Sequence, residues 1–242
     1  MQYLKPSPLV ASVLPGQIFD PEHNIAFGKI FLEYSMSPLA DEIKALSDGI
    51  GMPDRADQGW ISLAGPGVPE VLHGIFGLDI SNIITGKGIC GITADAISMP
   101  DVNMDIYFGQ EVALIGLSRI SAASATSWFR SQTNLSGIIV KDETDLVSRI
   151  AVMGPDSRKF LQALEVPDDQ LLDVGDHIDI EVIQESIHVC RSDFVGPMGF
   201  DFIIPNEHFN MILAVFCSWA VRLELNMIPV GWDAIQQIKD LK

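Results

Sequence analysis

Cysteine is scarce. The 242-residue chain has three, Cys90, Cys190 and Cys217, far apart and in no C-x-x-C or Cys/His zinc spacing. A disulfide scaffold is excluded, and the sparse, odd count reads as a reduced, intracellular protein. Basic side chains are also few: 15 Lys and Arg stand against 32 Asp and Glu, a formal net charge of -17. Such a chain repels phosphate backbones and anionic bilayers, so neither nucleic acid nor a membrane is an expected partner. Long apolar runs are missing too. The longest, Met211 to Val221, is 11 residues broken by Ser218, and crossing a hydrocarbon core takes ~20. Pro6, Pro8 and Pro15 interrupt the N-terminal apolar stretch, which makes a poor leader. The expected location is the cytoplasm.

Familiar catalytic signatures are absent as well. There is no G-x-S-x-G elbow, no phosphate loop and no H-E-x-x-H pair. Asp101-x-Asn103-x-Asp105 begins like a calcium loop, but Ile106 stands at its required glycine and Val112 at its closing glutamate. The five histidines, His23, His73, His177, His188 and His208, show no ligand spacing and read as structural. No metal is expected.

What is present suits a folded body. Hydrophobic residues make up 48% and charged residues 19%, enough for one large domain or two small ones. The most informative feature is an internal repeat. Residues 60–66 read as a strand ending in Gly65-Pro66, followed by Val68, Val71, Leu72 and Ile75 at i, i+3, i+4 and i+7. Residues 150–155 have the same form, ending in Gly154-Pro155, and Ser157, Phe160, Leu161 and Leu164 take the same offsets. Glycine permits the tight turn, and proline suits a helix's first turn. Two such units 89 residues apart predict two related α+β halves.

Strands are expected near 91–94, 104–108, 112–117 and 137–141, with a Ser/Ala-rich helix over 121–132. In the second half Ile178, Ile180 and Val182 alternate with acids in a half-buried strand. A turn at Glu185-Ser186 then leads into a strand over 187–191, and another strand covers 200–204. Asn206 is expected to cap a helix over 207–225, buried along Phe209, Ile212, Leu213, Phe216, Trp219 and Leu223. A connector over 227–231 leads to a last helix from 232. Residues 1–55 read as an irregular segment packed on the body, with one short helix at 38–47. The expected division is 1–55, 56–142 and 143–242, the last two as pseudo-symmetric antiparallel-sheet subdomains.

One stretch carries chemistry: Arg191-Ser-Asp-Phe194-Val-Gly196-Pro197-Met-Gly199-Phe-Asp201. A strand delivers an arginine, glycines allow close approach of a ligand or another loop, and a second strand leaves with an acid. On the residues alone, a long hairpin with Gly196 and Gly199 in its turns is the plainer description.

The order of these parts, closed by Ile228-Pro229-Val230-Gly231-Trp232-Asp233-Ala234, resembles the folate-binding aminomethyltransferases, the T-protein of the glycine cleavage system and its relatives. The resemblance covers roughly residues 50–240. It implies a tetrahydrofolate cofactor and methyl or aminomethyl transfer, in an α+β fold here without the family's C-terminal β-barrel. It implies cofactor binding by Arg191, Phe194, Gly196, Gly199 and Lys239, with Arg191 and Lys239 at the folate carboxylates. Asp105 and Asp201 are the acids nearest the implied pocket and the catalytic candidates. Pro197 stands where the family loop carries its pterin-binding glutamate, and offers no side-chain acceptor. Ser118-Arg119 replaces an Asn-Ala pair, and an ungapped count puts Ala125 at an acid position of the active enzymes. The pocket is then expected where the Arg191–Asp201 stretch faces the helix with Ser121, Ser124 and Ala125. Two alternatives stay beside this reading. One is a non-catalytic subunit docked on a partner that supplies a missing domain or acid. The other is a cleft turned to a different small molecule.

Overall fold

The computed structural model describes residues 4–78, 84–93, 102–132, 137–196 and 198–240. The chain forms an α+β fold of antiparallel-rich sheets. The N-terminal part holds β1 (Lys5–Pro6), α1 (Pro8–Val13), β2 (Asn24–Phe27), β3 (Ile30–Glu33), α2 (Leu39–Asp48) and β4 (Ile50–Pro53). Next come β5 (Gln58–Ala64), α3 (Val68–Phe76), β6 (Gly88–Thr93), β7 (Asn103–Phe108), β8 (Val112–Ser118) and α4 (Ala122–Ser131). The rest comprises β9 (Ile139–Asp142), β10 (Val147–Met153), α5 (Ser157–Ala163), β11 (His177–Val182), β12 (Glu185–Arg191), β13 (Gly199–Pro205), α6 (Phe209–Arg222), β14 (Met227–Val230) and α7 (Trp232–Asp240).

The repeat is visible in the backbone. Gly65 follows β5 at φ +139° and Gly154 follows β10 at φ +120°. A Cβ on Gly65 would lie 2.3 Å from the Gly137 carbonyl oxygen, and one on Gly154 2.4 Å from that of Gly49. Both turns thus require glycine for conformation and for space. The contacts also show a reciprocal exchange. β9, which precedes β10 in the chain, pairs with β5, while β4, which precedes β5, pairs with β10. The five-stranded sheet runs β6-β7-β8-β5-β9 and the six-stranded sheet β11-β12-β13-β10-β4-β14. Each half therefore completes its sheet with a strand from the other side of the repeat boundary.

This corrects the expectation of an irregular segment before residue 56. That segment contributes β4 to the six-stranded sheet, and β1–β3 form a small sheet of their own. Glu42 of α2 is fully buried. It accepts from the Met36, Ser37 and Gly231 amides at 2.6, 2.7 and 3.0 Å, tying this segment to the start of α7. Short strands without an alternating pattern left no signal. Residues 227–231, expected as a connector, supply β14, parallel to β4.

Two local expectations also fail. The turn between β11 and β12 is Ile183-Gln184, at φ +50° and +69°, not Glu185-Ser186. Two successive left-handed residues suit a two-residue hairpin turn, but Ile and Gln are not the residues that advertise one. Asn206 does not cap α6. Its amide donates to the Asp145 carbonyl at 2.9 Å, and His208 takes the cap position without a side-chain bond.

Three of the packed regions frame the two large sheets. Ile61 and Leu63 of β5 face one core with α3 and α4, including Leu72, Ala125 and Phe129. Ile150 and Val152 of β10 face another, where Phe160, Phe202 and Phe216 meet edge to face at centroid distances of 4.9–6.3 Å. Trp60, Tyr107 and Leu114 of the first sheet pack on Val147, Cys190 and Ile203 of the second, forming a seam between the halves.

Candidate functional site

The Arg191–Asp201 stretch joins β12 to β13. Its aromatic, Phe194, lies between two cations: the Arg55 guanidinium carbon is 3.3 Å and the Lys239 Nζ 3.4 Å from the ring centroid. Arg55 comes from the link between β4 and β5, and Lys239 from the last turn of α7. The quadrupole of an aromatic face attracts such charges. Val195 packs with Met153, Ala234 and Ile235. Pro197 lies outside the described residues.

The glycines have different surroundings. A Cβ on Gly199 would meet Met153 Cγ at 2.8 Å, so its close approach is to a core methionine. A Cβ on Gly196 would meet nothing within 4 Å. Arg191 is buried and closes the base of the hairpin, donating to the Gly199 carbonyl at 3.1 Å and to the Ser192 carbonyl.

Asp201 is fully buried. Arg149 Nη2 donates to its Oδ2 at 2.5 Å, and Arg55 Nη1 to its Oδ1 at 3.4 Å. Burial pushes the carboxyl up, but the two arginines outweigh it and hold it below the usual carboxylate range. A carboxylate fixed in this way is a counter-ion. That geometry argues against the proton-transfer role expected of Asp201.

Arg149 reaches the seam, with its guanidinium 5.3 Å from the Trp60 ring centroid. Its Nε and Nη1, and Trp60 Nε1, are buried and meet no acceptor among the described residues. Gly116 lies against both side chains: a Cβ there would be in ordinary van der Waals contact, 3.4 Å from Trp60 and 3.5 Å from Arg149. Asp105 of β7 pairs with Gly116 across the ladder. It is half-buried, accepts from the Gly91 amide at 3.0 Å, and lies close enough for its charge to act on Arg149. The seam therefore sets buried donors near a partly accessible carboxylate.

The structure thus links Phe194, Lys239 and Asp201 through Arg55, with Arg191 and Gly199 at the loop's base. Asp105 belongs to the opposite sheet. The pocket expected beside Ala125 does not form there: Ala125 is fully buried in its own half's core and Ser124 is exposed. A carboxylate at position 125 would point into apolar packing, where its burial would be costly. Sequence reading also missed Arg55, Trp60 and Arg149. The repeat held a signal, because Trp60 and Arg149 are 89 residues apart and hold one place in its two copies.

The GCVT N-terminal domain family profile matches residues 18–239. The chain belongs to this family. An aminomethyltransferase from Synechococcus sp. (strain CC9902) is 24% identical over 82% of this chain and 55% of its own length. The sarcosine oxidase subunit alpha of Corynebacterium sp. (strain U-96) is 24% identical over 82% of this chain and 21% of its own. The chain thus spans about half the length of the aminomethyltransferase it matches. The glycine cleavage system aminomethyltransferase T of Bartonella henselae superposes with a TM-score of 0.74 at 16% identity, covering 98% of this chain and 62% of that one. A chain of the heterotetrameric sarcosine oxidase from Corynebacterium sp. U-96 superposes at 0.53 and 13% identity, covering 83% and 92% respectively. At these identities the likeness is one of fold. Among the described residues, no helix is long and apolar enough to cross a membrane.

Proposed function

We propose that this GCVT-type domain binds a reduced folate at the seam between its two large sheets, as a divergent methyl- or aminomethyl-transfer unit. The carrying observation is the polarity of the seam. Arg149 Nε, Arg149 Nη1 and Trp60 Nε1 are buried donors that meet no acceptor among the described residues, and Asp105 is a half-buried carboxylate nearby. Buried donors favour a ligand that accepts. The residues therefore fit a pterin, whose carbonyl accepts and whose ring N–H and amino groups donate. Arg149 and Trp60 would hold the carbonyl edge and Asp105 the N–H edge. Bound tetrahydrofolate would supply the nitrogen that carries the one-carbon group.

Asp105 is then the candidate to hold or move a proton, and Asp201 serves to keep Arg149 in place. Lys239, half-buried at the end of α7, suits a glutamyl carboxylate. Titration with tetrahydrofolate and 5-formyltetrahydrofolate, followed by calorimetry and tryptophan fluorescence, tests the reading. Trp60→Phe removes one donor and keeps a ring; we expect it to weaken binding ~5–150-fold, the range for one unsatisfied partner. No binding by the folded wild-type chain would overturn the assignment.

A second reading has its own support. In the heterotetrameric sarcosine oxidase, one chain matches this fold over 92% of its length. This chain would likewise serve as a subunit, with a partner protein completing the site. A complex that binds folate only when the partner is present would select it.

A further inference from the structure

A concavity of about 470 Å³ lies beside the seam, lined by Tyr107, Leu114, Gln170, His177, Asp179 and His188 among others. In the β11–β12 hairpin Asp179 faces His188 and His177 faces Cys190, so the three polar residues project from one face. The two imidazole centroids are 4.8 Å apart, and the Tyr107 ring stands nearly edge-on to both, at 5.5 and 6.0 Å. His188 Nδ1 is 2.7 Å from Asp179 Oδ1. A carboxylate only accepts, so that nitrogen carries the proton. Backbone groups of Lys87 and Phe108 lie beside the His177 ring. Among the described residues, neither Nε2 has a hydrogen-bond partner, and both are buried.

His188 thus presents a buried lone pair at Nε2 with no donor, and Nε2 of the neighbouring His177 ring is likewise unpartnered among the described residues. Two buried ring nitrogens without a partner are costly, and a cation bound by both, with His177 in the tautomer that frees Nε2, satisfies them. Histidines that ligate metals are commonly oriented this way, the second nitrogen donating to a carboxylate or backbone carbonyl. The spacing also fits. Bonds of ~2.0–2.1 Å to one ion, at angles between right and tetrahedral, put two ring centroids roughly 4.5–5.2 Å apart.

We propose that His177 and His188 are the two protein ligands of a site for a divalent transition ion of the zinc, nickel or copper class. Solvent in the concavity completes the coordination, and Asp179 is a positioning residue for His188. Imidazole ligands select these ions over magnesium and calcium. Among the described residues no group of three or more His, Cys, Asp or Glu is arranged around a metal, so the affinity is modest. This inference does not rest on folate binding.

The test is calorimetry and thermal shift of the full chain with zinc chloride and nickel chloride in excess magnesium, which occupies surface carboxylates. We expect one saturable site per chain and a raised melting temperature. His177→Gln and His188→Gln should each weaken binding at least tenfold, and Asp179→Asn ~10–100-fold, the range for partners of ligating histidines. His73→Gln should change nothing. Because His177→Gln changes a buried position, melting curves without metal must show it folded; His188→Gln carries the test otherwise. Absence of saturable binding, or binding unchanged in the folded double variant, overturns the site.

Discussion

Trp60 in the first half and Arg149 in the second hold one place in the repeat, yet one is an indole and the other a guanidinium. Their cross-strand partners differ in the same sense. Trp60 pairs with Gly116 and Ser62 with Leu114, where Arg149 pairs with Ile203 and Ala151 with Asp201. Leu114 thus answers to Asp201. The first half meets the seam with rings, aliphatics and the half-buried Asp105, and the second with an ion pair of which no part is more than 3% exposed. A repeat of two identical halves would give a seam of one polarity. This asymmetry instead places donors against an aromatic wall, which a polar flat ligand requires.

The sharpest way to break this comparison is to remove the buried ion pair that only the second half brings to the seam. Asp201→Ala leaves Arg149 buried without its partner and should cost ~3–5 kcal/mol in urea denaturation. Arg149→Met with Asp201→Leu gives the second half the chemistry of the first. It should recover most of that loss, since apolar replacements of buried ion pairs are commonly neutral or stabilising. A double variant as unstable as Asp201→Ala would show that the pair is needed beyond its own compensation.

The next comparison is aromatic. Phe129 of α4 and Phe216 of α6 are equivalent and both fully buried. Phe216 contacts the Phe160 and Phe202 rings at 5.2 and 4.9 Å; Phe129 meets Phe76 at 6.2 Å and its neighbour Trp128 at 5.1 Å. Phe216→Ala should cost ~3–5 kcal/mol, with Phe129→Ala toward the lower end of the same range. Equal melting temperatures for Phe216→Ala and wild type would contradict the core described above.

The plan of the halves was legible because Gly65-Pro66 and Gly154-Pro155 announce it, each followed by a stripe at helical spacing. The exchange of β4 and β9 was not. Four-residue strands carry too little pattern, and nothing local states which sheet a strand joins. The loop residues Phe194 and Asp201 stood out by motif, but their partner Arg55 lies 139 residues before Phe194, in the link between β4 and β5. Long-range pairs of this kind leave no trace in spacing. The histidine pair is hidden differently: His177 and His188 show no ligand spacing, and they meet only because a hairpin turns at two residues that do not look like a turn.

The links between sheets differ too, and pH exposes the difference. In the link after β4, Asp54 is buried and bonded by the Ser7 hydroxyl and the Ala56 amide. Its equivalent after β9, Glu143, is half-buried and accepts from Ser62 at 2.8 Å. Burial pushes Asp54 up to about 6. Its unfolded value is ~3.9, so the folded chain holds the proton more tightly. The associated stability is fully present below about pH 4 and is lost as pH rises through 6, in total roughly 3 kcal/mol. Asp54→Asn removes this dependence. Unfolding midpoints of variant and wild type should therefore diverge in the variant's favour between pH 4.5 and 7.5. A constant difference would show that Asp54 does not titrate there.

The smallest expected effect concerns Lys239, and it separates a structural from a binding role. Its ammonium lies on one face of Phe194 and Arg55 on the other, so the ring is held even when one cation is lost. A stacked cation contributes ~0.5–1 kcal/mol at a partly exposed site, so Lys239→Gln should lower the melting temperature only slightly. If the ammonium also meets a folate carboxylate, folate affinity should fall several-fold, and more at low ionic strength than at high, because a charge pair is screened by salt. The comparison is Phe194→Leu, which removes the stack and keeps the charge. Affinity that survives Phe194→Leu but drops in Lys239→Gln assigns the lysine to the ligand. The reverse order assigns it to the loop, leaving Arg149 and Trp60 at the seam as the groups on which recognition rests.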